Sequence, residues 1–140
     1  MTGLEEIQAL VAKGIRPPMM ELLDIDLVHA ERGHVVFSAA PSREVYNFMG
    51  IAHGGYAATL LDSACGIAAF SASEMPVNCV TLELKVAYHA ALTEHTGTVR
   101  AIGTIVSMGK RVAYTEAKIL DQNDKLYASA TSTLLLTPRN

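Results

Sequence analysis

The strongest constraint on this chain is the stretch from Ile51 to Ser73, whose only formal charge is Asp62. Its length would suffice to cross a bilayer. An aspartate at the centre of a span costs about 2.5–3.5 kcal/mol on insertion, however. Gly54, Gly55 and Gly66 interrupt the stretch, and Thr59, Ser63, Ser71 and Ser73 dilute it. A helix that is apolar on all sides in a non-membrane protein is one wrapped by the rest of the fold. The segment therefore reads as a buried helix over Gly54–Ser73, about 30 Å long at 1.5 Å per residue, with no face set aside for solvent.

The flanking segments supply the wrapping. Leu4–Lys13 reads as a short amphipathic helix with Leu4, Ile7, Leu10 and Val11 on one face, ended by Gly14 and Pro17-Pro18. Met20–Glu31 and His34–Ala40 alternate as strands around an Arg32-Gly33 turn. After the helix, Val77–His89 shows the clearest period of two. Val80, Leu82, Leu84, Val86 and Tyr88 lie on one face, and Thr81, Glu83, Lys85 and Ala87 on the other. Thr98–Met108, Arg111–Leu120 and Leu126–Leu136 follow, joined by turns at Gly109-Lys110 and Asp121–Asp124. Hairpin-linked strands make an antiparallel sheet, and one apolar helix has to be covered by it. The expected class is α+β, a sheet curled around one central helix in the hotdog arrangement. The competing arrangement is a sandwich with the helix on one open face.

Length and composition agree with a single domain over residues 1–140. Half of the residues are hydrophobic and 18% are charged, which excludes a disordered chain. A net charge of −3 with scattered basic residues argues against a nucleic-acid partner. Cys65 and Cys79 lack the spacing of a metal knuckle or redox pair and read as reduced thiols. The acidic start, Met1 to Glu6, lacks the order of a signal peptide, so the expectation is a cytoplasmic protein without a membrane partner.

Candidate chemistry concentrates at the helix entry. Gly54 and Gly55 allow close approach to the backbone where the first helical N–H groups have no internal partner. Such a helix start favours negative charge, including the oxyanion that develops on an attacked carbonyl. His53 adjoins it, and Asn47 lies six residues upstream. A glycine helix entry beside a loop histidine is also a common structural feature. Asp62 is harder to dismiss, because a carboxylate inside an apolar helix is paired or used. Gly55, Thr59 and Gly66 share its face, which leaves room for a ligand. A structural pairing with a cross-strand lysine or a backbone donor is the alternative.

The pattern Asn47…Gly50…His53-Gly54-Gly55…Asp62 resembles the signature of hotdog-fold acyl-CoA thioesterases of the phenylacetate-pathway (PaaI-like) branch. The resemblance runs from about Gly14 to Leu136 and includes Val80–Tyr88 and the closing Leu126-Tyr127-Ala128. It implies hydrolysis of acyl-CoA to a carboxylic acid and free CoA. Asp62 would activate water or attack the carbonyl, the N–H groups near Gly54 or Gly55 would hold the oxyanion, Asn47 and His53 would orient the thioester, and Thr81 would position water. Relatives often carry serine at the Thr81 position. The resemblance further implies a site shared between two protomers, hence a homodimer, often paired again into a tetramer.

Ser107, Gly109, Lys110 and Arg111 fall in the turn where relatives contact coenzyme A, and two cations beside a glycine turn suit phosphate oxygens. A solvated turn is the plain alternative. His29, His34, His89 and His95 read as surface residues, with no metal-ligand spacing. Met19-Met20 and Met49 suit either an acyl pocket or a core gap. A thioester carbonyl is electrophilic enough for a carboxylate, a water and an oxyanion site to suffice, so no metal and no cofactor beyond the CoA of the substrate is expected. A hotdog enoyl-CoA hydratase and a non-catalytic acyl-CoA sensor are the alternatives. Acyl-chain preference is left open.

Overall fold

The computed structural model describes residues 1–139; Asn140, counted in the single domain above, lies outside them. Two short helices, α1 (Gly3–Ala12) and α2 (Pro18–Leu22), precede strands β1 (Asp26–Glu31) and β2 (His34–Ala39). The long helix α3 (Gly54–Ser71) follows, then β3 (Val77–Tyr88), β4 (Val99–Met108), β5 (Val112–Leu120) and β6 (Leu126–Pro138). The strands form one sheet in the order β1-β2-β4-β5-β6-β3, antiparallel throughout. This is the expected α+β hotdog architecture, a curled sheet around one long helix. Among the described residues no helix is long and apolar enough to cross a membrane.

The core is the contact between α3 and the concave face of the sheet. Leu60, Leu61, Ala64, Cys65 and Ala68 are fully buried with Val35, Phe37, Val99, Ala101 and Ile119. Alternation puts those strand residues on one face. Gly103 lies in β4 where the helix comes closest, and a Cβ there would collide with the Ala64 carbonyl. Glycine at this position sets the depth at which α3 seats.

Several expectations are corrected. The helix ends at Ser71 rather than Ser73, because side-chain hydroxyls take up the last carbonyls. Ser71 Oγ donates to Ala68 O at 2.8 Å and Ser73 Oγ to Phe70 O at 2.7 Å. Nor is α3 covered on every side. Gly55 is exposed, and Thr59, Asp62, Ser63, Gly66 and Phe70 are half-buried along one stripe at helical spacing. The sheet of one chain covers only the opposite face.

β3 does not keep one phase. Pairing with β6 shifts register between Thr81 and Glu83, leaving Leu82 as a bulge residue. A bulge inserts one unpaired residue and reverses the facing of the residues beyond it. Thr81 before it and Leu84, Val86 and Tyr88 after it all approach α3. Val80 and Leu82 remain 52% and 56% exposed on a strand whose outer edge has no partner among the described residues. At the N-terminus Pro18 opens α2 instead of only ending α1, since proline fits the first helical turn. Within α1 Ile7 is buried, but Leu10 and Val11 stay largely exposed.

Candidate active site

Asp62 sits on the open stripe of α3, and the Thr81 hydroxyl donates to its Oδ1 at 2.8 Å. The contact exists because the part of β3 before the bulge turns Thr81 toward the helix. No cation pairs with Asp62 among the described residues, so the structural ion-pair alternative has no support. The pair opens onto a cleft of about 760 Å³ that also meets Met19, Met20, Ile67, Phe70 and Cys79. The Cys79 thiol donates to Gly66 O at 3.7 Å. Burial, with the Asp62 charge adding to it, pushes this thiol up to about 11, so it is protonated at neutral pH.

The helix entry forms a second cluster. Asn47 builds the preceding loop: its Oδ1 accepts from Met49 N at 2.9 Å and Ile51 N at 3.4 Å. Gly50, at φ +77°, makes the turn that closes it. The Asn47 Nδ2 group has no hydrogen bond among the described residues. Phe48 and Met49 project from the tip, and Met49 is 82% exposed, which gives it no pocket to line in this chain. His53 occupies the N-cap of α3 without a side-chain cap bond.

The N–H groups of Gly54 and Gly55 have no acceptor among the described residues, as the first turn of a helix leaves them. Tyr88 Oη donates to Gly54 O at 2.6 Å. A Cβ on Gly54 would come within 3.0 Å of that hydroxyl, so glycine admits the tyrosine, whereas nothing lies within 4 Å of a Cβ on Gly55. Asn47, His53, Gly54, Tyr88, His89 and Tyr127 share a second cleft of about 410 Å³.

Two members of this cluster escape sequence reasoning. Tyr88 closes an alternating strand and reads only as its last apolar residue. His89 is exposed and bonded at 2.9 Å to Ser129 Oγ, yet it also faces this cleft. The one signal for either is their position where β3 ends beside the helix entry.

The structure joins Asp62 to Thr81, and Asn47 to His53 and Gly54, but it separates these two groups. Eight helical steps separate Gly54 from Asp62, about 12 Å at 1.5 Å per residue. That is too far for both to touch one carbonyl. Ser107 lies in β4, paired with Tyr114, rather than in the turn as expected; Gly109, Lys110 and Arg111 form the β4–β5 turn, where Gly109 N donates to Val112 O at 2.9 Å, and all four residues are exposed. Val112 pairs with Leu135, which pairs with Val80, so this turn belongs to the Asp62 end of the sheet, about 10 Å across two strand spacings.

Residues 49–128, more than half of the chain, match the Thioesterase superfamily model, and the chain belongs to that superfamily. A 1,4-dihydroxy-2-naphthoyl-CoA hydrolase of Listeria monocytogenes is 28% identical over 116 residues, 83% of this chain and 93% of that protein. A Streptococcus mutans protein solved bound to acetyl-CoA superposes with a TM-score of 0.75 at 28% identity, covering 83% of this chain and 90% of that one. The E. coli PaaI protein of the phenylacetic acid degradation operon shares the fold, with a TM-score of 0.83 at 20% identity over 94% and 92% of the two chains.

Proposed function

We propose that the protein hydrolyses acyl-CoA thioesters at a site completed by two copies of the chain. The observation that carries this reading is the division of the site. Asp62, oriented by Thr81 and open to a cleft, stands midway along the α3 stripe, and the free N–H groups of Gly54 and Gly55 stand at its N-terminal end. A two-fold axis near the middle of β3 would run the two helices antiparallel and bring each Asp62 to the other chain's helix entry. The unpaired edge of β3, with Val80 and Leu82 exposed on it, is the surface for such pairing. A CoA thioester as substrate is supported by the names of the Listeria and Streptococcus relatives.

In this reading Thr81 donates to Asp62 Oδ1 and orients the carboxylate, and Oδ2 takes a proton from water. The water oxygen attacks the thioester carbonyl, and the negative charge on the carbonyl oxygen falls on the Gly54 and Gly55 N–H groups. Tyr88, bonded to the carbonyl of the Gly54–Gly55 peptide, holds that plane so that the Gly55 N–H points outward. Asn47 Nδ2 and His53 orient the thioester. The intermediate collapses with cleavage of the C–S bond, and the CoA thiolate receives the proton from Asp62. In this reading Lys110 and Arg111 take the CoA phosphates, with Gly109 shaping the turn and Ser107 at the end of β4 beside it.

Subunit mixing tests the shared site. Asp62→Asn removes the base, and Gly55→Val covers the N–H groups at a position with open space for a side chain. Each variant alone should be nearly inactive. Co-refolded at equal amounts, they should recover about a quarter of wild-type thiol release, because half of the dimers are mixed and each holds one intact site. No recovery would place the whole site within one chain and refute the reading.

A further inference from the structure

A second apolar cavity, of about 420 Å³, lies beneath α1, between Ile7, Leu10 and Val11 above and Leu27 and Phe37 of the sheet. It shares Pro17, Met20 and Ile67 with the Asp62 cleft, so these side chains form the wall between the two. Ile67 is β-branched and held in a helix, where its rotamer is fixed. Met20 is 8% exposed and unbranched, with three rotatable bonds, and is the part of the wall that can swing aside. The long-range hydrogen bonds that tie the roof down among the described residues lie at its N-terminal end. Gly3 N donates to Ser73 O at 3.0 Å and Arg139 Nη1 to Glu6 Oε1 at 2.8 Å. Leu10 and Val11, over the cavity, are 42% and 48% exposed.

Two carboxylates face the single cation at this cavity. Arg16 Nη1 donates to Asp24 Oδ1 at 3.1 Å and to Asp26 Oδ1 at 3.2 Å, which leaves no free cation for a carboxylate or phosphate. What the cavity suits is an uncharged, apolar chain. Ile67 lies five residues beyond Asp62 along α3, about 7.5 Å. A short acyl group at Asp62 ends before the wall; a medium-length aliphatic tail passes it.

We infer that the cavity under α1 is an acyl-tail pocket, entered from the Asp62 cleft past Met20, and that it selects medium-length uncharged acyl groups. The inference rests on the thioesterase reading for the identity of the tail. Its test draws on the absence of tryptophan from the chain, which makes Leu10→Trp a single fluorescent reporter on a half-exposed helix position. Emission from this variant should change on titration with the non-hydrolysable thioether S-octyl-CoA and stay constant with CoA or S-ethyl-CoA.

In parallel, Met20→Ala, which removes three heavy atoms from the wall, should raise the ratio of kcat/KM for octanoyl-CoA over acetyl-CoA by at least roughly tenfold, the lower end of what a single methylene changes in an apolar pocket. Constant emission with S-octyl-CoA, or an unchanged chain-length ratio in folded Met20→Ala, overturns the pocket. If the wild type releases no thiol from any acyl-CoA, the thioesterase reading fails instead, and the Leu10→Trp emission still decides whether the cavity takes an apolar tail.

Discussion

In the proposed reaction two parts of the α3 stripe, Asp62 midway along it and the helix entry at its start, solve different problems with different materials. At Asp62 the groups assigned to the reaction are side chains, a carboxylate and the hydroxyl that donates to it at 2.8 Å. At the helix entry they are peptide groups, the N–H of Gly54 and Gly55, backed by a tyrosine hydroxyl at 2.6 Å from the Gly54 carbonyl. A proton acceptor has to be a titratable side chain, whereas an oxyanion needs fixed donors that undergo no reorganisation when charge appears. Under the proposed mechanism, selection on the first would show as a residue that is present. On the second it would show as side chains that are missing, because a Cβ at Gly54 would press on Tyr88.

The sharpest way to break this contrast is Asp62→Asn. It keeps the volume and removes the basicity, so kcat should fall by roughly 10²–10⁴ while KM changes little. The melting temperature should hold, since no cation among the described residues is left without its partner. A much lower melting temperature with normal turnover per folded molecule would make Asp62 structural. Tyr88→Phe probes the other end. The ring still packs beside Gly54, but the peptide loses its support, and kcat should drop about tenfold at constant KM. An equal rise in KM with unchanged kcat would reduce Tyr88 to a wall of the substrate cleft.

A smaller effect tests how the two ends are joined. Glu83 and Lys85 flank Leu84 on the outer face of β3, and a two-fold axis at Leu84 would set each glutamate opposite the other chain's lysine. Lys85→Glu should weaken dimerisation several-fold in sedimentation at low salt, and the double exchange Glu83→Lys with Lys85→Glu should restore it. If the single variant sediments unchanged, the axis lies elsewhere on the strand.

The smallest expected effect is one of pH. Burial pushes the Cys65 and Cys79 thiols from 9.0 up to about 11. Unfolded chains lose these protons first, so stability is fully present below pH 9.0 and declines as pH rises toward about 11. Denaturant midpoints measured across that range should fall, and Cys65→Ala should flatten the slope.

Much of the architecture was readable from the residues. A stretch charged only at Asp62 marked the helix, and alternation marked the strands after it. Asn47, His53-Gly54-Gly55 and Asp62 in order pointed to the two clefts that the proposed reaction uses. What escaped was set by backbone pairing rather than by residue type. Nothing in Thr81-Leu82-Glu83 announces a bulge, yet that bulge lets Thr81 reach Asp62 and Tyr88 reach Gly54 from one strand. Pro17-Pro18 reads as a helix stop, and only the path of the chain makes Pro18 a start. The buried helix showed an open stripe because hydropathy reports the lack of charge, not which neighbour supplies the cover.

Gly103 has a consequence for inheritance. It touches neither a cleft nor Asp62, yet any side chain there would lever the Ala64 carbonyl, two residues from the carboxylate, off the sheet. A misplacement of about 1 Å at a reacting group can cost a hundredfold in rate. In a population of drifting sequences this position would carry the signature of a catalytic residue, purged when altered and silent in every inspection of the active site. Its only contribution is a hydrogen atom where other residues carry carbon.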